Sequence, residues 1–291
     1  MYNKHMQITI NIPKKMCFNT RMDIKALALD LDGTLLAPGA ILTERTLKAV
    51  RSCADKGIEI ILATGRAVEA TEKYRVSLGL NGSHVYFNGA IVVEMPGRKN
   101  LNTVLLPKDI IEFCVDLSRE RGIYFQMYNP NQSLLAERED PRRDMYHEHT
   151  GILAEIIDLK GALQRNEVQG CIKGMFLAEP EILDDLRPIV EEGLGKRAYT
   201  VRSTRTFLEV LDPKVSKGRG LFLALENRGI KPEETIAFGD EENDLPMFET
   251  AGLSIAPANA KDNVKARADL TIASNAEDGI AAFLEETFLS S

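Results

Sequence analysis

Ala26-Leu27-Ala28-Leu29-Asp30-Leu31-Asp32-Gly33-Thr34-Leu35 is an apolar run that breaks into two carboxylates and a glycine. Residues 26–29 carry no polar side chain, the pattern of a strand buried on both faces of a parallel sheet. In extended backbone, residues two apart project to the same side. Asp30 and Asp32 can therefore point together into the crevice at the carboxyl end of such a sheet, where open α/β folds bind ligands. Gly33 lets the chain turn sharply there. One carboxylate so placed can attack phosphorus, and the other can protonate a leaving oxygen and then take a proton from water. By themselves the two acids also fit a solvated turn or a helix cap.

Downstream, the pattern alternates. Thr43 caps an expected helix with Leu47, Val50 and Ala54 on its apolar face and Gly57 at its end. A second buried strand, Ile58 to Leu62, a short polar turn and another helix up to Gly79 follow, and His84-Val85-Tyr86-Phe87 reads as a third strand. Asn88-Gly89 is a two-residue hairpin signal before Ala90-Ile91-Val92-Val93. From about Met95 to Leu211 the strands are shorter and mixed with two or three helices. The charged stretch Glu137–His149 in that region reads as a surface loop or edge. After Asp212-Pro213 the βα pattern resumes, with a helix from Ser216 to Gly229 and strands at Ile236-Ala237-Phe238 and Leu253-Ser254-Ile255. The expected fold is an α/β, doubly wound parallel-sheet core interrupted by a second, inserted α/β domain.

Three later segments carry chemistry. Thr64-Gly65-Arg66 follows the second strand, and a hydroxyl with backbone N–H groups at a helix start can seat a phosphate, although a plain helix cap reads as well. Lys217 stands at a helix N-terminus, where a cation opposes the macrodipole unless an anion partners it; an ordinary surface lysine is the bland alternative. Gly239-Asp240-Glu241-Glu242-Asn243-Asp244 ends a third buried strand and offers hard oxygen ligands suited to Mg²⁺. The helix dipole accounts for Glu241 and Glu242, but not for Asp240 directly after the strand.

These motifs, in this order, resemble those of the haloacid dehalogenase superfamily, and more narrowly the Cof-type phosphatases, which carry a large α/β cap between the second and third motifs. The likeness runs from about Asp23 to Phe283, with Asn88-Gly89-Ala90 and Asn259-Ala260 also matching; Ala256-Pro257-Ala258 departs from the methionine and glycine usual there. The resemblance implies a Rossmannoid core at residues 22–94 and 212–291 and a cap at 95–211 that sets specificity. It implies Asp30 as nucleophile and magnesium ligand, and Asp32 as general acid–base with its main-chain carbonyl on the metal. Asp240 would complete the protein ligands. Leu31 (through its amide), Thr64, Gly65, Lys217 and Asn243 would hold the phosphate. Asp244, which would orient Lys217 or a metal-bound water, and Arg66 would support them. Mg²⁺ is the implied cofactor, and a sugar phosphate or cofactor phosphate the implied substrate, hydrolysed through an aspartyl-phosphate. A hexose phosphomutase of the same superfamily and a non-catalytic phosphate-binding module are the rival readings.

Composition narrows the rest. The chain has 291 residues, 44% hydrophobic and 27% charged, with a net charge of −7 that disfavours a nucleic-acid binder. No apolar run approaches the roughly 18 residues needed to span a bilayer. Cys17, Cys53, Cys114 and Cys171 are widely spaced and read as reduced thiols of a cytoplasmic protein. The expected partner is a small-molecule phosphate ester, without nucleic acid or membrane, in a monomer or dimer. Residues 1–21 carry Lys4, Lys14, Lys15 and Arg21 and no acid, and read as a loosely attached extension or an upstream start ahead of Met22, with an organelle-targeting segment the lesser option. Three minor signals stand apart. His147-Glu148-His149 would put two imidazoles on one face of a strand, Arg142-Arg143 would offer a second anion contact, and Glu209 would face the site.

Overall fold

The computed structural model describes residues 22–290, so the expectation for residues 1–21 lies outside it. The described chain forms two compact units. One contains residues 22–65, 71–101 and 216–290; the other contains residues 66–70 and 102–215.

The first unit holds strand β1 (Ala26–Leu29), helix α1 (Glu44–Asp55), strand β2 (Glu59–Leu62), most of helix α2 (Val68–Leu78), strands β3 (Gly82–Tyr86) and β4 (Ile91–Met95) and most of β5 (Lys99–Thr103). Five parallel strands form the main sheet. β1 lies between β2 and the strand Thr235–Phe238, with Leu27 opposite both Ile60 and Ile236, and the strands Leu253–Pro257 and Leu270–Ile272 continue beyond. The alternation of β1 decides how each face packs. Leu27 and Leu29 join a core with Val50, Ile60, Phe238 and Leu284, while Ala26 and Ala28 face Leu221, Ala224 and Leu225 of the helix Lys217–Arg228. Small residues on that second face let the helix lie close. The chain leaves β1 toward β2 and returns much later on β1's other side, so the carboxyl end of β1 is the topological switch point of the sheet.

The helices expected after Thr43 and Ser216 are present, each with its cap side chain accepting a backbone N–H, from Thr46 and Arg219 respectively. Two expectations change here. Helix α2 begins at Val68, so Thr64-Gly65-Arg66 is a loop ahead of the helix and not its first turn. The β3–β4 hairpin is antiparallel with Tyr86 opposite Ile91, so its loop is Phe87–Ala90 and not the two residues Asn88-Gly89. β3 belongs to the smaller sheet β3-β4-β5 and meets the main sheet through a single bridge, Ala63 to Val85. Beside that bridge the buried imidazole of His84 accepts the Leu62 N–H through Nδ1 at 3.2 Å, satisfying a donor on the edge strand β2.

The second unit is built on a six-stranded sheet. Lys173–Leu177 pairs antiparallel with Tyr124–Tyr128 and with Phe207–Leu211. Phe125, Met127, Phe176, Leu208 and Val210 share a core with the helices Lys108–Arg121, Leu159–Gln164 and Pro180–Leu194, so these three helices cover one face. The charged stretch expected as a loop is largely a helix, Pro141–Thr150. Asp140 caps it, Pro141 takes its first position and Gly151 ends it, which are local signals that outweigh the charge run. On a helix, residues two apart point to nearly opposite sides, so His147 and His149 do not share a face. Arg142 donates to Asp140, and Arg143 to the Ala154 carbonyl. Glu209 is buried, 2.6 Å from Lys173 Nζ, in an ion pair inside this unit.

Candidate active site

At the switch point the chain bends at once. Asp30 continues the ladder by donating its N–H to the Phe238 carbonyl, and the Asp30 and Leu31 carbonyls then accept from Leu35 and Leu36 N–H. This tight bend leaves Asp30 buried and Asp32 exposed, although only one residue separates them. Gly33 has φ +79°, and a Cβ there would strike the Asp240 carboxylate, so glycine serves both the turn and the approach of the two loops.

Lys217 is the centre of the cluster. It is 2% exposed, and its Nζ donates to Asp30 Oδ1 at 2.6 Å and to Asp244 Oδ1 at 2.7 Å. The other oxygen of Asp244 accepts the backbone N–H groups of Asp240 and Glu241, which clamps the loop after the strand Thr235–Phe238. Asp240 Oδ1 accepts from the Thr34 hydroxyl at 2.7 Å. Asn243 is buried and donates Nδ2 to Asn88 Oδ1 at 2.9 Å. Thr64, also buried, donates its N–H to the Val85 carbonyl and accepts from the Asn88 N–H.

The electrostatics follow from burial. Burial pushes the Asp30 carboxyl well above its ordinary value; Lys217 pulls it back, and Asp244 and Asp240 add to the rise. Asp240 is pushed up to about 7 by burial and then by Asp244, against the Thr34 hydrogen bond and Lys217. For Lys217, burial pulls downward, but the carboxylates of Asp244 and Asp30 outweigh it, so the ammonium is held charged. With all three carboxylates ionised the group would carry a formal charge of −2 while buried, which accords with Asp30 and Asp240 both being pushed up.

Oxygens of Asp30, Asp240 and Asp244 lie within 4.8 Å of one another. A hard divalent cation takes such an all-oxygen set, and its charge would cancel the surplus, so the residues fit a metal of the Mg²⁺ type. Asp32's carboxylate is not in this group, whereas Asp244's is.

The structure thus brings together Asp30, Lys217, Asp240 and Asp244, and links Thr64 to Asn243 through Asn88. Leu31 is buried within the bend and Gly65 adjoins Asn88, whereas Arg66 groups with the second unit. Sequence reasoning missed Thr34 and Asn88 as members. The hydroxyl two residues after Asp32 was a readable signal; nothing in the sequence pairs Asn88 with a residue 155 positions away.

Residues 27–284 match the family of haloacid dehalogenase-like hydrolases, and the chain belongs to that family. It is 31% identical over 277 residues to the Bacillus subtilis 5-amino-6-(5-phospho-D-ribitylamino)uracil phosphatase YitU, covering 90% of this chain and 97% of that protein. A second B. subtilis phosphatase of the same description, YcsE, is 29% identical over 263 residues, covering 89% and 94%. Among solved structures, a haloacid dehalogenase-like hydrolase from Bacteroides thetaiotaomicron shares the fold with a TM-score of 0.81 at 24% identity, over 90% of this chain and 99% of that one. A Thermotoga maritima structure superposes with a TM-score of 0.78 at 26% identity, over 90% and 97%. The chain is a phosphatase of this superfamily, a phosphoric monoester hydrolase with an α/β, parallel-sheet core. No helix among the described residues is long and apolar enough to cross a membrane.

Proposed function

We propose that the protein is a Mg²⁺-dependent phosphatase of a small phosphorylated metabolite that works through an aspartyl-phosphate on Asp30. The observation that carries this reading is the buried group of Asp30, Asp240 and Asp244 at the sheet's switch point, with Lys217 paired to Asp30 and Asp244. Asp30, Asp240 and the Asp32 main-chain carbonyl would hold the metal. When bound, Mg²⁺ neutralises charge between an anionic nucleophile and an anionic substrate.

Asp30 attacks phosphorus in line with the leaving oxygen, and the ester O–P bond breaks as the Asp30 O–P bond forms. Asp32, at the exposed side of the bend, gives its proton to the leaving oxygen. In the second half Asp32 takes a proton from water, which attacks phosphorus and frees Asp30. Lys217, Asn243, Thr64, Gly65 and the Leu31 amide hold the phosphoryl oxygens, with Asp244 fixing Lys217 and Arg66 in support. Residues 95–211 act as the cap that selects the organic part and limits water during the first step. The B. subtilis relatives make a phosphorylated ribityl compound the first substrate to try, with sugar phosphates beside it.

The test is phosphate release from p-nitrophenyl phosphate, 5-amino-6-(5-phospho-D-ribitylamino)uracil and a sugar-phosphate panel, with Mg²⁺ and with EDTA, beside Asp30→Asn. The expected result is metal-dependent release that Asp30→Asn abolishes. Release that persists in EDTA or in folded Asp30→Asn would defeat the mechanism.

A further inference from the structure

The turn Phe87–Gly89 is conformationally costly. Phe87, Asn88 and Gly89 have φ of 50°, 58° and 101°, and a bulky residue such as phenylalanine is rare in that region. Such strain persists only where surrounding structure holds it. Here three contacts do so. The Asn88 N–H donates to the Thr64 carbonyl at 3.0 Å. Gly89 lies so near the Ser216 carbonyl that a Cβ would strike it, which presses the turn against the residue before Lys217. Asn88 Oδ1 accepts from Asn243 Nδ2 at 2.9 Å, and a Cβ on Gly65 would stand 3.0 Å from the same oxygen. One turn therefore touches every segment assigned above to holding the phosphate, other than the β1 bend.

An asparagine amide has two orientations related by a flip, and a phosphate oxygen can only accept. Asn243 serves a phosphate when its amide N–H₂ is set correctly. With Asn88 Oδ1 turned toward it, Asn243 cannot flip alone without setting acceptor against acceptor, so the two amides hold each other's orientation. Asn243 Oδ1 is buried with no hydrogen-bond partner among the described residues, so that end of the amide does not set the flip. We infer that Asn88 is a positioning residue of the phosphate pocket, orienting Asn243 and seating the Thr64-Gly65 loop. The inference rests on the phosphatase reading for the role of Asn243. Asparagine suits the place because it tolerates left-handed backbone and supplies a neutral acceptor; glycine would supply only the first, and aspartate would add charge beside an anion.

The experiment is a double-mutant cycle of Asn88→Gly and Asn243→Ala, read as kcat/KM for p-nitrophenyl phosphate with Mg²⁺ and as inhibition by inorganic phosphate. Asn88→Gly keeps the backbone region and removes the acceptor. It should lower kcat/KM by about tenfold or more and weaken phosphate inhibition, yet cost less than about threefold once Asn243 is already alanine. Equal loss in both backgrounds, or wild-type kinetics in Asn88→Gly, would overturn the inference while leaving the phosphatase reading intact. Should the glycine variant not fold, Asn88→Asp keeps both the left-handed backbone and the acceptor. Its added charge acts directly on the anion, so its cost should be the same, within about threefold, in the wild-type and Asn243→Ala backgrounds, and a cost confined to the wild-type background would count against the proposal. A folded wild type that neither turns over p-nitrophenyl phosphate nor gains thermal stability from inorganic phosphate would remove the functional reading and the inference together.

Discussion

Lys217→Met is the substitution that tests the site's electrostatics most directly. The ammonium is 2% exposed and lies 2.6 and 2.7 Å from Asp30 and Asp244, so the variant leaves both acids buried without their common cation. Removing one partner of a buried ion pair typically costs about 3–5 kcal/mol, because the charge left behind is uncompensated. At about 2–4 °C per kcal/mol for a chain of this size, Tm should fall by roughly 6–20 °C in EDTA. Asp244→Asn added to Lys217→Met removes one stranded charge and should restore part of the loss. Mg²⁺ should raise the Tm of Lys217→Met more than that of wild type, since it supplies the missing positive charge. Activity should fall by at least about 100-fold, the scale of losing one charge-stabilising donor, and Asp30, already pushed up by burial, becomes harder to ionise. Thermal and urea unfolding of the wild type, the single variant and the double variant provide the assay, alongside kcat/KM. A Lys217→Met protein within about 1 kcal/mol of wild type in EDTA, or a double variant no more stable than the single, would refute the reasoning.

Two further outcomes follow from the same region. Burial, with help from Arg75, holds His84 down to about 3 from 6.5. Between those values the unfolded chain binds a proton that the folded chain does not, so this contribution is complete above about pH 6.5 and is lost as pH falls toward 3. At 1.36 kcal/mol per unit the whole effect is about 5 kcal/mol. Relative to His84→Asn, wild type should lose roughly 2–3 kcal/mol between pH 6.5 and 4.5 in urea unfolding, and a pH-independent difference would sink the assignment. Gly33→Ala should cost stability and at least about tenfold in kcat/KM, because it drives a Cβ into Asp240. Gly57→Ala has a similar φ of +86° with open space around it and should leave kinetics unchanged, so equal kinetic effects of the two would exclude the clash as the cause.

Local pattern made much of the fold legible. The apolar run 26–29, the caps Thr43 and Ser216 and the stop at Gly57 are short-range signals, and each element lies within a residue or two of its expected place. The motif order likewise pointed to one superfamily before any contact was known. The misreadings arose where signals conflicted or contacts intervened. In 137–149 charge masked a capped helix, and at 87–90 a four-residue turn, with Gly89 close against the Ser216 carbonyl, stands where Asn-Gly alone would have closed in two residues.

The sequence by itself determined which residues are acidic, where strands end, and that glycines stand where the chain must bend. Only the tertiary structure decided that Lys217, 187 positions from Asp30, reaches both it and Asp244, that Thr34 binds Asp240, and that Asn88 holds Asn243. Periodicity and capping act over one or two turns of chain, whereas these contacts depend on parallel register and on how closely the helix Lys217–Arg228 lies on Ala26 and Ala28. The protonation of the site belongs to the same level, because burial and charges distant in sequence set it.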